Sequence, residues 1–368
     1  MFTQRTAIGL DVHARSIRAT AIDTHTGEIL EAKLPGGNEP VTTWIARIEA
    51  EHGPVAVTYE AGPTGFSLAR ALDTIGIPVT VAAPSKLIRP AGDKVKTDAR
   101  DAFLLARLLK LDELVAVRVP TITEESARDL VRARDDTRVE LMMVRHRLSK
   151  LLLRHNLVYN GSVTWGATHD AWLRRVRKNE LSRAEAGTLA AFDAAFDAVT
   201  LGLARRDRLD EEITGMAADS EFTPITNRLC CLRGISTLTG FALAVEIGDW
   251  QRFTGRTIAA YLGLVPSEYS SGMSRSQGGI TKTGNTHARR LLVEAAWHHK
   301  PRYSPGKTMT DRWAKAPAAA VARGDAGNRR LNRRWNTFAA HKKKHTVACT
   351  AIARELAGWC WSLAVMDK

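Results

Sequence analysis

Short apolar or alternating stretches dominate the first third of the chain. "TAIGLDV" and "SIRATAID", joined by the tight "HAR" link, read as strands, and "EILEAKL" follows after the turn "THTG". "VTTWIARIEAEHG" has the spacing of a helix and leads into a buried strand, "VAVTYE", ending at Glu60. The Gly/Pro turn of "AGPTGFSLARALDTIG" feeds an amphipathic helix, and "IPVTVAA" is a further apolar strand. A three-strand meander followed by alternating helix and strand predicts a mixed α/β sheet.

Beyond Pro120 the pattern changes. From Glu124 to about His155 the chain is charged and helical, without Gly or Pro. Leu130, Val131, Leu141, Val144, Leu148, Leu151 and Leu152 supply an apolar stripe. Residues 181 to 217 repeat that style, so the two segments predict an antiparallel coiled-coil arm. Arg132, Arg134, Arg138, Arg145, Arg147 and Arg154 are candidates for gripping phosphates, or equally for a solvated helix face. Residues 226 to 300 mix short helices with a loop rich in Ser and Gly. The tail carries "GNRRLNRRW" and "HKKKH" and ends in an apolar helix, "VACTAIARELAGWCWSLAV", that must pack on something. The expected organisation is a domain over 1–120, a helical arm over 121–225, a domain over 226–300 with the serine loop, and a basic helical region over 301–368.

Composition narrows the class. In 368 residues, 44% hydrophobic and 25% charged, no uninterrupted apolar run approaches a bilayer span. The N-terminal "MFTQRTAIGL" has no cleavable apolar core, so a cytoplasmic protein is expected. Cys230, Cys231, Cys349 and Cys360 have no zinc-binding spacing and read as buried thiols. A net charge of +14 and a pI near 9.9 point to a polyanionic partner, nucleic acid first.

Candidate chemistry lies in the acids. Asp11 closes the first strand, Glu60 ends a later one, and Asp98 and Asp101 open the helix of "KVKTDARDAFLLARLL". Residues at i and i+3 share a helix face, and two carboxylates there repel unless a cation lies between them. A plain acidic first turn, favoured by the helix dipole, is the other explanation. Four carboxylates converging from strand ends would hold two Mg²⁺ or Mn²⁺ ions for phosphoryl transfer, because hard oxygen ligands without a His/Cys cluster argue against zinc.

"IGLDVHARSIRATAID", "VTYEAGPTGF", "APSKLIRPAGDKVKTDARDAFLLARLL" and "YLGLVPSEYSSG…GGITKTGNTHARRLLVEAAW" together resemble the IS110-type transposases, more closely their IS1111-like branch, over nearly the whole chain. The resemblance implies a RuvC-like RNase H fold whose acidic tetrad falls on Asp11, Glu60, Asp98 and Asp101, with Lys94 and Lys96 facing phosphates. It also implies a nucleophilic serine before the glycine of a Y-x-S-G pattern, on Ser271, with adjacent Ser270 as fallback. Attack on a DNA phosphodiester would give a phosphoserine intermediate, with Arg275, Lys282, Arg289 and Arg290 as candidate phosphate contacts. The implied partners are target and donor DNA, a structured noncoding guide (bridge) RNA, and further copies of the chain, as dimers assembling into a tetramer.

From composition alone "SEYSSGMSRSQGG" is a flexible loop, since a serine hydroxyl needs activation to attack. "LRGISTLTGFALAVEIGDWQRF" resembles a helix-hairpin-helix, with Ser236 where a second glycine is usual. His298 and His299 lack further ligands and are assigned to a helix surface. Alternatives are a two-metal Holliday-junction nuclease without a covalent intermediate and a non-catalytic RNA- or DNA-binding scaffold. An actin-like ATPase or sugar kinase is disfavoured because "DVHARS" offers no glycine to wrap a phosphate.

Overall fold

A computed structural model describes residues 3–87, 97–183, 185–272 and 274–366. The chain divides into two compact units, Met1–Thr121 and Ile122–Lys368.

The first unit contains β1 (Thr6–Val12), β2 (Ser16–Asp23), β3 (Ile29–Pro35), α1 (Asn38–His52), β4 (Val55–Glu60), α2 (Ser67–Thr74), β5 (Val79–Ala82) and α3 (Asp98–Lys110). Its sheet runs β3-β2-β1-β4-β5, antiparallel through the first three strands and parallel from β1 to β4 to β5. This mixed order is consistent with an RNase H-like domain. Alternation along β1 explains its two faces. Ile8 and Leu10 join Val41, Ile45 and Ile48 of α1 in one core, while Ala7 packs with Ala56 and Leu109 on the other face. Gly9 shares the Ala7 face, and a Cβ there would collide with the Ala102 carbonyl and the Ala106 backbone nitrogen. Glycine therefore lets α3 lie directly on β1.

At the opposite end of the sheet, Asp23 is fully buried. Arg5 donates to its carboxylate through Nε and Nη2 at 3.2 and 3.0 Å, and the His25 and Thr26 amides donate to Oδ1. These hydrogen bonds hold the Asp23 carboxyl far below the ordinary range despite its burial, and they fix the "THTG" turn.

The second unit opens with α4 (Ile122–Arg154), α5 (Ala167–Asn179) and α6 (Ala186–Ala218). Arg134 pairs with Asp210 and Arg205 with Glu140, so α4 and α6 run antiparallel. Gly202 admits Leu141 at the crossing. By length and composition α6 would pass for a membrane span, contrary to the reading that no segment approaches one. Yet its Asp193 and Asp210 form ion pairs with Arg177 and Arg134. The arm arginines are also largely spent: Arg132 binds Glu246, Arg134 binds Asp210, Arg138 binds Asp135, and Arg145 lies over Trp165. Only Arg147 and Arg154 of the six are exposed without an assigned contact among the described residues.

There follow α7 (Thr223–Leu229), α8 (Thr237–Ile247), α9 (Thr257–Tyr261), β6 (Pro266–Ser271), β7 (Ser274–Ile280), α10 (Thr286–Ala296), α11 (Lys307–Trp313), α12 (Ala318–Ala340) and α13 (His345–Ala364). The apolar C-terminal helix finds its partner: Ile352, Ala353, Leu356 and Cys360 enter a core with Leu243, Leu292 and Leu331. All four cysteines are free and buried. His299, assigned to a surface from sequence, is fully buried, and burial pushes its pKa down to about 4.

Glu246 is buried and ties three helices together. Arg132 of α4 donates to both carboxylate oxygens at 3.0 Å, Asn285 Nδ2 donates at 2.7 Å, and His287 Nδ1 lies 3.0 Å away. Asn285 also caps α10 by accepting from the Ala288 amide.

Two outcomes are expected. Gly9→Ala costs about 3 kcal/mol, as overpacking against backbone does, read by denaturant unfolding; an unchanged midpoint contradicts the close approach of α3. Hydrogen bonds and the Arg132 charge depress the Glu246 pKa to about 2, so its share of stability is complete above the ordinary glutamate range and is lost as pH falls toward 2. Glu246→Gln is therefore less stable by about 3 kcal/mol at pH 7, with the gap narrowing between about pH 5 and 2; a gap independent of pH contradicts the assignment.

Candidate metal centre and serine hairpin

Period-two alternation that puts Ala7 and Gly9 under α3 carries Asp11 and His13 to the same side. Leu10 and Tyr59 are register partners on parallel β1 and β4, so Asp11 and Glu60 leave neighbouring strands at the same end. On β4, Glu60 follows Ala56 and Thr58 on the α3 side. α3 runs back over β1, with Leu109 near Ala7 and Ala102 near Gly9, which brings its first turn to Asp11. Thr97 caps that turn by accepting from the Arg100 amide.

The His13 backbone is held by its turn, where its amide donates to Ser16 O at 3.1 Å and Gly36 closes against Ala14. His13 Nε2 lies 3.2 Å from Asp11 Oδ2 and 3.9 Å from Asp98 Oδ1. Ligand atoms of Asp11, His13 and Asp98 all fall within 4.8 Å of one another. Glu60 and Asp101 are not in that cluster, although the Asp101 charge is felt at Asp11. Burial raises the Asp11 pKa, the Asp98 and Asp101 carboxylates raise it further, and His13 opposes the rise. A divalent cation would relieve that repulsion, so these side chains fit one. The imidazole adds a nitrogen donor that suits Mn²⁺ better than Mg²⁺. His13 was not singled out from sequence; its signal was the two-residue spacing from Asp11, just past the end of β1. Lys94 and Lys96 lie outside the described residues.

The serine segment is not a loop. β6 and β7 pair antiparallel, with Ser271 opposite Ser274, Ser270 opposite Arg275 and Tyr269 opposite Ser276. Gly272 takes a positive φ of 56° at the turn. At the base, Gly263 and Gly284, both at positive φ, close on Thr283 and on the Tyr261 carbonyl. Alternation separates the two candidate nucleophiles. Ser270 donates to Glu268 Oε1 at 2.9 Å, on the face where Arg275 and Gln277 also meet Glu268. The Ser270 and Gln277 hydrogen bonds hold the Glu268 pKa down. Ser271 lies on the other face beside Tyr269, which is 85% exposed, and its hydroxyl makes no hydrogen bond to a described residue.

The candidate phosphate contacts differ. Arg275 is exposed beside Glu268, and Lys282 is exposed at positive φ. Arg289 instead donates to the Leu262 and Thr283 carbonyls, stitching the hairpin base, and Arg290 pairs with Asp135 and Glu294. Just upstream, Gly234 takes positive φ between α7 and α8, and Ser236 caps α8 by accepting from the Thr239 amide.

Known proteins with this sequence pattern are DNA transposases. Residues 226–312 match the family model described as Transposase IS116/IS110/IS902 family, and residues 8–157 match a DEDD-type IS110 model described as Transposase. The y4qE protein of Sinorhizobium fredii is 34% identical, covering 97% of this chain and 88% of its own length. The transposase for insertion sequence element IS1533 of Leptospira borgpetersenii is 28% identical over 92% of this chain and 97% of its own. That for IS1111A of Coxiella burnetii is 24% identical over 80% and 73%. The chain belongs to the IS110 family of insertion-sequence transposases. A DEDD-type domain implies dependence on a divalent metal.

Mn²⁺ titration by calorimetry should find a site in the full chain that Asp11→Asn and Asp98→Asn each weaken by at least about tenfold. Unchanged affinity in both variants contradicts the site.

Proposed function

We propose that the chain cuts and rejoins DNA through a serine-linked intermediate, guided by a structured noncoding RNA. The observation that carries the nucleophile is the contrast within the hairpin: Ser270 is engaged by Glu268, whereas Ser271 is exposed and unengaged among the described residues. In the proposed step the Ser271 oxygen bonds to phosphorus as one backbone P–O bond breaks. The hydroxyl proton ends on the departing sugar oxygen. The phosphodiester linkage is retained in the phosphoserine, so reversal by a sugar hydroxyl rejoins a strand without ATP.

Asp11, His13 and Asp98 would hold a divalent ion, with Glu60 and Asp101 completing the acidic set. When bound, such an ion stabilises the charge of the five-coordinate phosphorus. By family resemblance the reacting assembly is a tetramer on DNA, in which Ser271 and the acids come together. Lys282 is exposed toward phosphates, and the exposed Arg275 would exchange its Glu268 partner for one. The α7–α8 turn would offer its amides to a DNA backbone as a helix-hairpin-helix does.

Plasmid recombination with the flanking noncoding RNA tests this reading. Ser271→Ala should abolish joint formation, falling by more than about 10³-fold as loss of a nucleophile does, while Ser270→Ala retains most activity and omission of the RNA removes it. Wild-type joints from Ser271→Ala would instead favour a two-metal nuclease using water.

A further inference from the structure

The basic "GNRRLNRRW" segment and the apolar C-terminal helix form more than a core. Between α12 and α13 lies a groove of about 1160 Å³, running to Gly255–Ala259 and to the hairpin base at Pro266 and Gly278–Ile280. Its size exceeds the usual small-molecule pocket of about 300–1,000 Å³. Arg323, Arg330 and Arg334 of α12 fall at i, i+7 and i+11 and line one wall. On α13, Arg354, Gly358 and Ser362 fall at i, i+4 and i+8 and line the other. Arg256 adds a fifth guanidinium.

Against five arginines the lining holds one carboxylate, Glu355, already paired with Arg330. Arg256 and Arg354 are exposed and make no ion pair among the described residues. Aromatic rings complete the surface: Arg323 lies 4.7 Å over Trp359 and Arg334 lies 4.8 Å over Phe338. Two glycines at the hairpin base, Gly278 and Gly279, leave bare backbone along the rim.

We infer that this groove binds an unpaired nucleic-acid strand at the base of the serine hairpin. Guanidinium groups on facing walls match a phosphodiester chain, and the planar arginine–aromatic stacks at Trp359 and Phe338 offer guanidinium planes on which unstacked bases can lie. A duplex keeps its base faces inside the stack and has no use for the rings. The inference rests on the family's action on DNA and not on the serine step. The groove uses Arg330 and Arg334 of the basic tail, which the chemistry at Ser271 leaves unused.

Anisotropy titration of the full chain carrying Asp11→Asn, so that no strand is processed, reads binding separately from reaction. The probes are a labelled 12-nucleotide DNA, the same sequence as RNA, and the DNA duplex. A single strand should bind more tightly than duplex. Arg256→Glu with Arg354→Glu, both on the surface, should weaken single-strand binding at least tenfold and lower the salt slope by about 1.4, two phosphates at about 0.7 each. Phe338→Ala should weaken it several-fold with the slope unchanged. The same charge reversal at Arg147 and Arg154 of α4 should have little effect. Tighter binding of RNA would assign the groove to the guide, and equal or tighter binding of DNA to a displaced DNA strand. Either supports the site. Preference for duplex, or equal losses from both pairs of reversals, would overturn it.

Discussion

The first unit depends on the approach of α3 to β1 at Gly9. No side chain fits between the strand and the Ala102 carbonyl. Because the helix lies so close and runs back along the strand, its capped first turn meets the strand end where Asp11 and His13 emerge. Side chains 87 positions apart in sequence, Asp11 and Asp98, thereby come within ligand range. Burial first, and then the crowding of the Asp98 and Asp101 carboxylates, raise the Asp11 pKa. The sheet, the bare glycine and the Thr97 cap are the means by which the domain keeps this acid pair in one place.

The second unit solves a different problem. A two-stranded hairpin is marginal alone, and this one is almost wholly exposed. Its base is therefore fixed from outside: Gly263 and Gly284 interlock, Arg289 gathers two carbonyls, and Glu246 anchors the start of α10. The result is a firmly rooted but solvent-facing arm of β6 and β7, with one serine restrained by Glu268 and the next open to a partner. An exposed tyrosine beside the open serine suits a surface completed by nucleic acid.

Much of this was legible in the sequence. Alternation gave the strands, the acids fell at strand and helix ends, and the long helices announced themselves by their apolar stripes. What escaped depended on contacts distant in the chain. Gly9 reads locally as a weak point in a strand, and only α3 shows why it is there. Arg132 and Arg134 read as free cations because Glu246 and Asp210 lie far away along the chain. Serines and glycines with low strand propensity read as a loop, yet backbone pairing needs no apolar side chains. The groove was invisible because its walls are single faces of two helices, each ordinary by itself.

The central claim is that the exposed hydroxyl of Ser271 becomes bonded to DNA while metal-bound acids act on the same strand. Denaturing a stalled reaction and mapping the trapped peptide by mass spectrometry tests it most directly. The account predicts a nucleotide phosphate on Ser271, absent when metal is chelated. Efficiently cut DNA with no nucleotide on any serine of the hairpin would contradict it.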